Sequence, residues 1–398
     1  MSRLVQRTLD APGALRRRDV LQAGLLGFSL AELPLLAAPS PVRLDEDLNV
    51  ILLMLVGGPS QLDTWDMKPE APSEIRGPYR PIKTNVAGLE ISEIFPRMAH
   101  HADKYAIVRA MHHNASATHD AGHQLMQTGR VFEGDACDPH AGCVAAKLMG
   151  DRGGVPAHVL LPRPIGATGG NLPHGQDAGF LGCELDPFVP RAGLGSDPAP
   201  LREALYLGSE SNHSLHRYGR NRFGRSCLRA KRLVRSGVRF VTVNMFETVF
   251  DEVTWDIHGA EPFTHMEALG DRVGPMFDNA YASLLEDLDR AGELDRTLVV
   301  AGGEFGRTPK INPCGGRDHW TQCWSMLFAG GGVRGGQVIG ESDAIGAEPK
   351  NRPTSPAEVV ATIYQALGID LETTLSGPQG RTVRILDEGV EPIAELFG

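Results

Sequence analysis

Residues 49–56 form an unbroken apolar run, rich in Ile, Leu and Val, that stops at Gly57-Gly58-Pro59. A run of that length without polar alternation is the pattern of a parallel strand covered on both faces. The pattern recurs: residues 297–301 lead into Gly302-Gly303-Glu304, and residues 325–329 into Gly330-Gly331-Gly332. Further strands are expected over residues 105–110, 159–161 and 238–244. Between them lie stretches of helical pattern: residues 118–127, closed by Thr128-Gly129; residues 215–236, strongly basic and stopped by Gly237; residues 262–292, with a break point at Gly274-Pro275; and residues 355–367. The last begins with Ser355 as N-cap, Pro356 in the first turn and Glu358 in third place, a capping-box arrangement. Alternating helices and buried strands predict an α/β fold, a doubly wound, mostly parallel sheet flanked by helices.

The first 40 residues stand apart from this pattern. Arg16-Arg17-Arg18-Asp19-Val20-Leu21 precedes an apolar stretch from Ala23 to about Ala38. A charged segment followed by an apolar one reads as an export signal, and the Arg-Arg-x-Val-Leu spacing fits the twin-arginine type. An amphipathic N-terminal helix is the alternative. Glu32, Pro34 and the short length make the stretch a poor membrane span. The chain therefore divides into a signal peptide over residues 1–40 and one α/β domain over residues 41–398. It is expected in the periplasm or outside the cell, with the twin-arginine export machinery as a partner and no transmembrane segment after signal removal. Residues 162–200 are dense in Gly and Pro and read as an irregular insertion able to cover a site.

Composition narrows the partners. A formal net charge of -10 provides no basic field for nucleic acid. The six cysteines include no Cys-x-x-Cys pair, which disfavours a structural zinc knuckle. Cys137 with Cys143, or Cys314 with Cys323, are disulfide candidates in an exported protein. Buried free thiols account for the same residues equally well.

The chemistry-bearing residues gather just beyond the expected strands, where open α/β sheets bind ligands. In an extended segment, residues two apart point the same way, so Asp256 and His258 can face one ion. Asp318 and His319 are adjacent and face opposite ways: they serve different centres, or one ligates while the other orients it. Glu304 follows a strand directly. Asp63 lies shortly after the first strand, as either a ligand or a turn-forming residue, with Asp66 as the fallback ligand. His119 and His123, four apart, share a helix face, a common metal-ligand device. An isolated Asp-x-His is also an ordinary hydrogen-bonded loop. Three such clusters beside glycine breaks point to a metal site. Mixed Asp/Glu/His ligation suits Zn, Mn or Fe, with Ca or Mg at oxygen-rich positions.

The twin-arginine leader, Gly57-Gly-Pro-Ser-Gln-Leu-Asp63-Thr-Trp-Asp66, Trp255-Asp-Ile-His-Gly259, Gly303-Glu-Phe-Gly-Arg-Thr-Pro-Lys310 and Gly315-Gly-Arg-Asp-His-Trp320 resemble the bacterial family called domain of unknown function 1501. The resemblance spans nearly the whole mature chain. It implies the alkaline phosphatase and sulfatase superfamily, an alkaline phosphatase-like sheet and metal-dependent ester hydrolysis. Carried over position by position, it implies Asp63 as the ligand after the first strand. Asp256, His258 and His319 would form one metal centre. A second centre would take Asp63, Glu304 and His119 or His123. Two positions depart from the superfamily pattern. Phe305 stands where a ligating His or Asn is usual. Counting nine residues back from Thr128 reaches His119, where a hydroxyl or thiol nucleophile is usual. His119 can then act as ligand, base or nucleophile, and Ser116 and Thr118 are the nearest hydroxyls. The sulfatase motif Cys-x-Pro-Ser-Arg is missing, which disfavours a conventional sulfatase.

The expected function is an exported hydrolase of phosphate or sulfate esters, using divalent Zn, Mn, Fe or Ca. Its substrate would be an anionic ester, small or polysaccharide. Arg307 and Arg317 are expected to clamp the anionic group, since guanidinium matches such oxygens bidentately. The alternative is a non-catalytic envelope protein with a structural metal that binds a polysaccharide or protein partner.

Overall fold

The computed structural model describes residues 47–131, 137–169, 172–190, 198–250 and 252–398. The expected signal peptide lies outside the described residues. Within them, no helix is long and apolar enough to cross a membrane.

Seven strands form the central sheet: β1 (Asn49–Met54), β2 (Tyr105–Met111), β3 (His158–Leu161), β4 (Phe240–Asn244), β5 (Thr297–Gly302), β6 (Trp324–Ala329) and β7 (Val338–Ile339). Their spatial order is β7-β2-β6-β5-β1-β4-β3. Every pairing is parallel except those of β6, which runs antiparallel between β2 and β5. β1 sits near the middle and every residue of it is buried, which is why its sequence is apolar without alternation.

The principal helices are α1 (His119–Thr128), α2 (Ala141–Met149), α3 (Arg222–Ser236), α4 (Gly274–Arg290) and α5 (Pro356–Ala366). α3 packs on α4, and α1 and α2 pack on α5. The doubly wound, mostly parallel α/β sheet flanked by helices is thus observed. The capping box of α5 forms as its sequence dictates. Ser355 Oγ accepts the Glu358 N–H, and the Glu358 carboxylate accepts the Ser355 N–H.

Other expectations shift. The basic stretch expected as one helix from residue 215 is two, Asn212–Arg217 and α3, because Gly219 and Arg220 both take positive φ between them. The helical stretch expected from residue 262 begins only with an irregular turn over Leu269–Val273, and Pro275 occupies the first turn of α4. The insertion carries two single helical turns, Gly179–Leu181 and Cys183–Leu185, and Phe188 extends the sheet edge by a backbone bridge to Val159. All six cysteines are free thiols, so neither candidate disulfide is present. The Cys143 thiol is buried against His158 Nδ1 at 3.5 Å, and the Cys137 thiol lies 3.4 Å from His174 Nδ1.

His140 and His158 form a buried polar knot behind the sheet. Both reach the Thr242 hydroxyl, at 3.2 and 3.0 Å. Burial lowers the pKa of His140 to about 3 and that of His158 well below its usual value. Both are therefore neutral in the fold and protonate in the unfolded chain below about pH 6.5. The unfolded state binds more protons as pH falls from 6.5 toward 3, so stability drops by roughly 1.4 kcal/mol per pH unit for each histidine. Denaturant titrations between pH 7 and 5 are expected to give a slope shallower by about one histidine's share in His140→Gln than in the wild type. An unchanged slope in that variant contradicts the assignment.

Candidate metal centre

The parallel strands end at one edge of the sheet, and the loops leaving them carry the candidate ligands. α1 follows the loop after β2 and presents His119 and His123 from its first two turns, both buried. Gly122, between them, lets the helix seat closely: a Cβ there would meet the Cβ of Glu304 at 2.8 Å. Asp256 and His258 follow β4, Glu304 follows β5, and His319 precedes β6. Gly57, with φ of 111°, lets the loop after β1 pass under Asp256, where a Cβ would lie 2.7 Å from the Asp256 nitrogen.

Two ligand groups result: His119 with Asp256 and His319, and His119 with His123 and Glu304. In the first, Asp256 Oδ1 lies 3.3 Å from His319 Nε2, and beside the group it lies 3.0 Å from His258 Nε2. The two Nε2 atoms are 3.1 Å apart, and Asp256 Oδ2 is 3.4 Å from His119 Nε2. Metal–nitrogen bonds of about 2.0–2.1 Å place tetrahedral ligands roughly 3.3 Å from one another, so these spacings fit an ion. In the second group, Glu304 Oε1 lies 2.5 Å from His119 Nδ1 and 3.4 Å from His123 Nε2.

The surrounding hydrogen bonds aim the rings. His319 Nδ1 donates to the Ala117 carbonyl at 2.8 Å. A carbonyl can only accept, so the neutral ring keeps its lone pair on Nε2, facing inward. His258 Nδ1 donates to Asp318 at 2.9 Å with the same result, and Asn312 holds that carboxylate at 3.0 Å. Two lone pairs then converge on a carboxylate oxygen. That arrangement is repulsive unless a cation or a proton sits among them. Ligand imidazoles are oriented in this way by acceptors behind the ring.

Charge gives the same indication. Burial opposes ionisation of Asp256, but Arg307 and the imidazoles of His119, His258 and His319 outweigh it and hold its carboxyl well below the usual range. Burial likewise opposes ionisation of Glu304, yet His123 and His119 bring its pKa down to about 2. Desolvation depresses His119, but Asp256 and Glu304 prevail and raise it to about 9. His123 is fully desolvated and falls to about 4. Arg307 compensates Asp256, whereas Glu304 is paired with no Arg or Lys among the described residues. Its negative charge is left to protonated histidine or to a bound cation.

The other expected residues stand elsewhere. Asp63 joins neither group. It pairs with Arg317 Nε at 2.7 Å and accepts from Ser60 Oγ at 2.5 Å. Asp66 faces Lys68 and Arg109. Asp318 stands behind His258, orienting that ring rather than its neighbour His319. Arg307 and Arg317 are fully buried and taken up by protein partners, not presented as an anion clamp. Arg307 donates to the carbonyls of Gly57, Gly58 and Arg317 and to Asp256. Arg317 donates to Asp63, Ile75, Thr308 and Pro309. Together they tie the loops of the sheet edge to one another.

Three contributors carried no assignment from sequence. His113 Nε2 donates to the Glu304 carbonyl at 3.2 Å, and the Gly57 N–H donates to Glu304 Oε1 at 2.9 Å. Phe305, which cannot ligate, packs its ring on those of His119 and His319, with centroids at 5.1 and 4.5 Å. The density of histidine from His112 to His123 was the one available signal.

No curated protein matches the chain. Among solved structures, the phosphonate monoester hydrolase SpPMH from Silicibacter pomeroyi aligns at 11% identity and a TM-score of 0.42, over 88% of this chain and 77% of that one. The lipoteichoic acid synthase LtaP from Listeria monocytogenes aligns at 11% and 0.39, over 86% and 75%. The PsFucS1 sulfatase from Pseudoalteromonas sp. aligns at 13% and 0.39, over 81% and 68%. The family described as "Protein of unknown function (DUF1501)" matches residues 47–201 and 195–397, and the chain belongs to that family.

Proposed function

We propose that this protein is an exported, metal-dependent hydrolase of phosphate or sulfate esters, acting in the periplasm or outside the cell. One observation carries the reading. His119 Nε2, His123 Nε2, Asp256 Oδ2 and Glu304 Oε2 are buried without a hydrogen bond, His119 Nε2 meeting Asp256 Oδ2 and His123 Nε2 meeting Glu304 Oε1 only at 3.4 Å, and their residues make up most of the two ligand groups. A buried polar atom left unpaired costs about 1–3 kcal/mol, so a cluster of them at metal-ligand spacing is best explained by an ion. His258 and His319 remain about one-fifth exposed, at 22% and 20%, which leaves a side open to substrate. The donor set of imidazole and carboxylate suits Zn, Mn or Fe.

A divalent ion bound there would polarise an ester oxygen and favour attack by water. The chain's own residues prepare that chemistry. Asp318 and Ala117 hold the rings of His258 and His319 in register, and Arg307 keeps Asp256 ionised. The ester class itself rests on the motif resemblance. With Arg307 and Arg317 saturated by protein partners, the ion rather than an arginine would meet the anionic group. That same saturation favours the second reading, a non-catalytic envelope protein with a structural ion. Phosphate or sulfate release from generic aryl esters separates the two. Hydrolysis that chelation abolishes and added Zn or Mn restores is the expected result. A metal-loaded protein inert toward every ester class leaves the binding protein as the account.

A further inference from the structure

His119 belongs to both ligand groups and meets them with different nitrogens. Its Nδ1 is 2.5 Å from Glu304 Oε1, and its Nε2 is 3.4 Å from Asp256 Oδ2. The lone-pair directions of the two ring nitrogens diverge, so a single ion cannot take both. The unpartnered buried atoms also fall on both sides of the ring. His123 Nδ1, His123 Nε2 and Glu304 Oε2 lie with the inner group, and Asp256 Oδ2 with the outer one. The side chains of His123 and Glu304 are wholly buried, at 0% exposure each, whereas the outer group has the accessible His258 and His319.

We propose that His119 is a bridging ligand. It gives Nε2 to an outer ion held with Asp256, His258 and His319, and Nδ1 to an inner ion held with His123 and Glu304. The proposal rests on the metal-centre reading above. With both nitrogens on ions the ring carries no proton: the imidazolium loses its Nε2 proton to solvent as the outer ion binds, and the one shared between Nδ1 and Glu304 as the inner ion binds. The ions then lie farther apart than the ~3.5–4 Å of two-metal sites that clamp a common substrate oxygen. The inner ion would have three protein ligands, with the side chains of His123 and Glu304 wholly buried; the outer would have four, with His258 and His319 about one-fifth exposed, so only there could substrate add a further ligand. Only the outer ion meets substrate, and the inner one reaches it through the ring of His119.

The test loads the full chain, stripped of metal, with Cu(II) alone, the tightest binder among first-row divalent ions at such ligands. Stoichiometry is read together with the electron paramagnetic resonance intensity. The expected result is two ions per chain, with most of the integrated signal lost as the second enters, because the spins couple through the shared ring. His123→Asn and Glu304→Gln are each expected to bind one ion with its full signal. Two ions with undiminished signal overturn the bridge and leave the metal centre standing. So does a single ion in the wild type that neither substitution affects. No bound ion in protein shown folded by circular dichroism removes both the bridge and the metal centre.

Discussion

Asp256→Asn is expected to lose the outer ion and to destabilise the fold by about 3–5 kcal/mol, the cost of stranding one member of a buried ion pair. Both effects follow from the position of one carboxylate. Asp256 is buried, its Oδ1 accepts from Arg307, and the same oxygen faces His258 and His319. The amide keeps the shape and removes the charge. Arg307 is then a buried cation without a countercharge, its acceptors being three backbone carbonyls and the neutral amide oxygen. The double variant Asp256→Asn/Arg307→Met is expected to recover much of the stability, because removing both charges is far cheaper than removing one. It is not expected to recover the ion. Denaturant midpoints and metal content on the same samples check this. A single variant that loses under about 1 kcal/mol and keeps its ion would sink the account of Asp256.

Asp63→Asn is expected to cost a similar ~3–5 kcal/mol while leaving metal content unchanged. Asp63 is as buried as Asp256, and Arg317 is held by protein partners just as Arg307 is. Its carboxylate, however, serves Arg317 and Ser60 and belongs to neither ligand group. The two aspartates thus make a matched pair: equal losses of stability, opposite effects on the ion. Metal lost from Asp63→Asn in protein that still folds would restore Asp63 as a ligand.

The contrast between these aspartates shows what sequence could and could not reveal. Local geometry was legible. The i, i+2 spacing of Asp256 and His258 does turn both side chains to one place, and the i, i+4 spacing of His119 and His123 does put both on the buried face of α1. The apolar runs of β1 and β5 and the capping box of α5 were read from patterns that the backbone enforces directly. Partner choice was not legible. Arg317 reaches Asp63 across 254 residues, and no local pattern indicates which carboxylate a distant guanidinium will neutralise. Both arginines sit in site motifs and so resembled anion clamps, yet burial turned them into the ties of the sheet edge. Adjacent Asp318 and His319 were expected to serve different centres or to orient one another; instead both reach the ring of His258, 60 residues from Asp318, Asp318 at Nδ1 and His319 at Nε2. The shortest elements gave too little periodicity to recognise: β7 is two residues, and α2 is nine residues of mostly small side chains.

Elemental analysis of the folded protein, beside a His319→Ala variant, tests the central claim most directly. His319 supplies a lone pair that its bond to Ala117 aims at Asp256, so its removal opens the outer group without disturbing a buried arginine. The account predicts at least one tightly bound Zn, Mn, Fe or Ca ion per wild-type chain, with the outer ion lost in the variant. A wild-type protein that is folded, metal-free and unaffected by the substitution would contradict it.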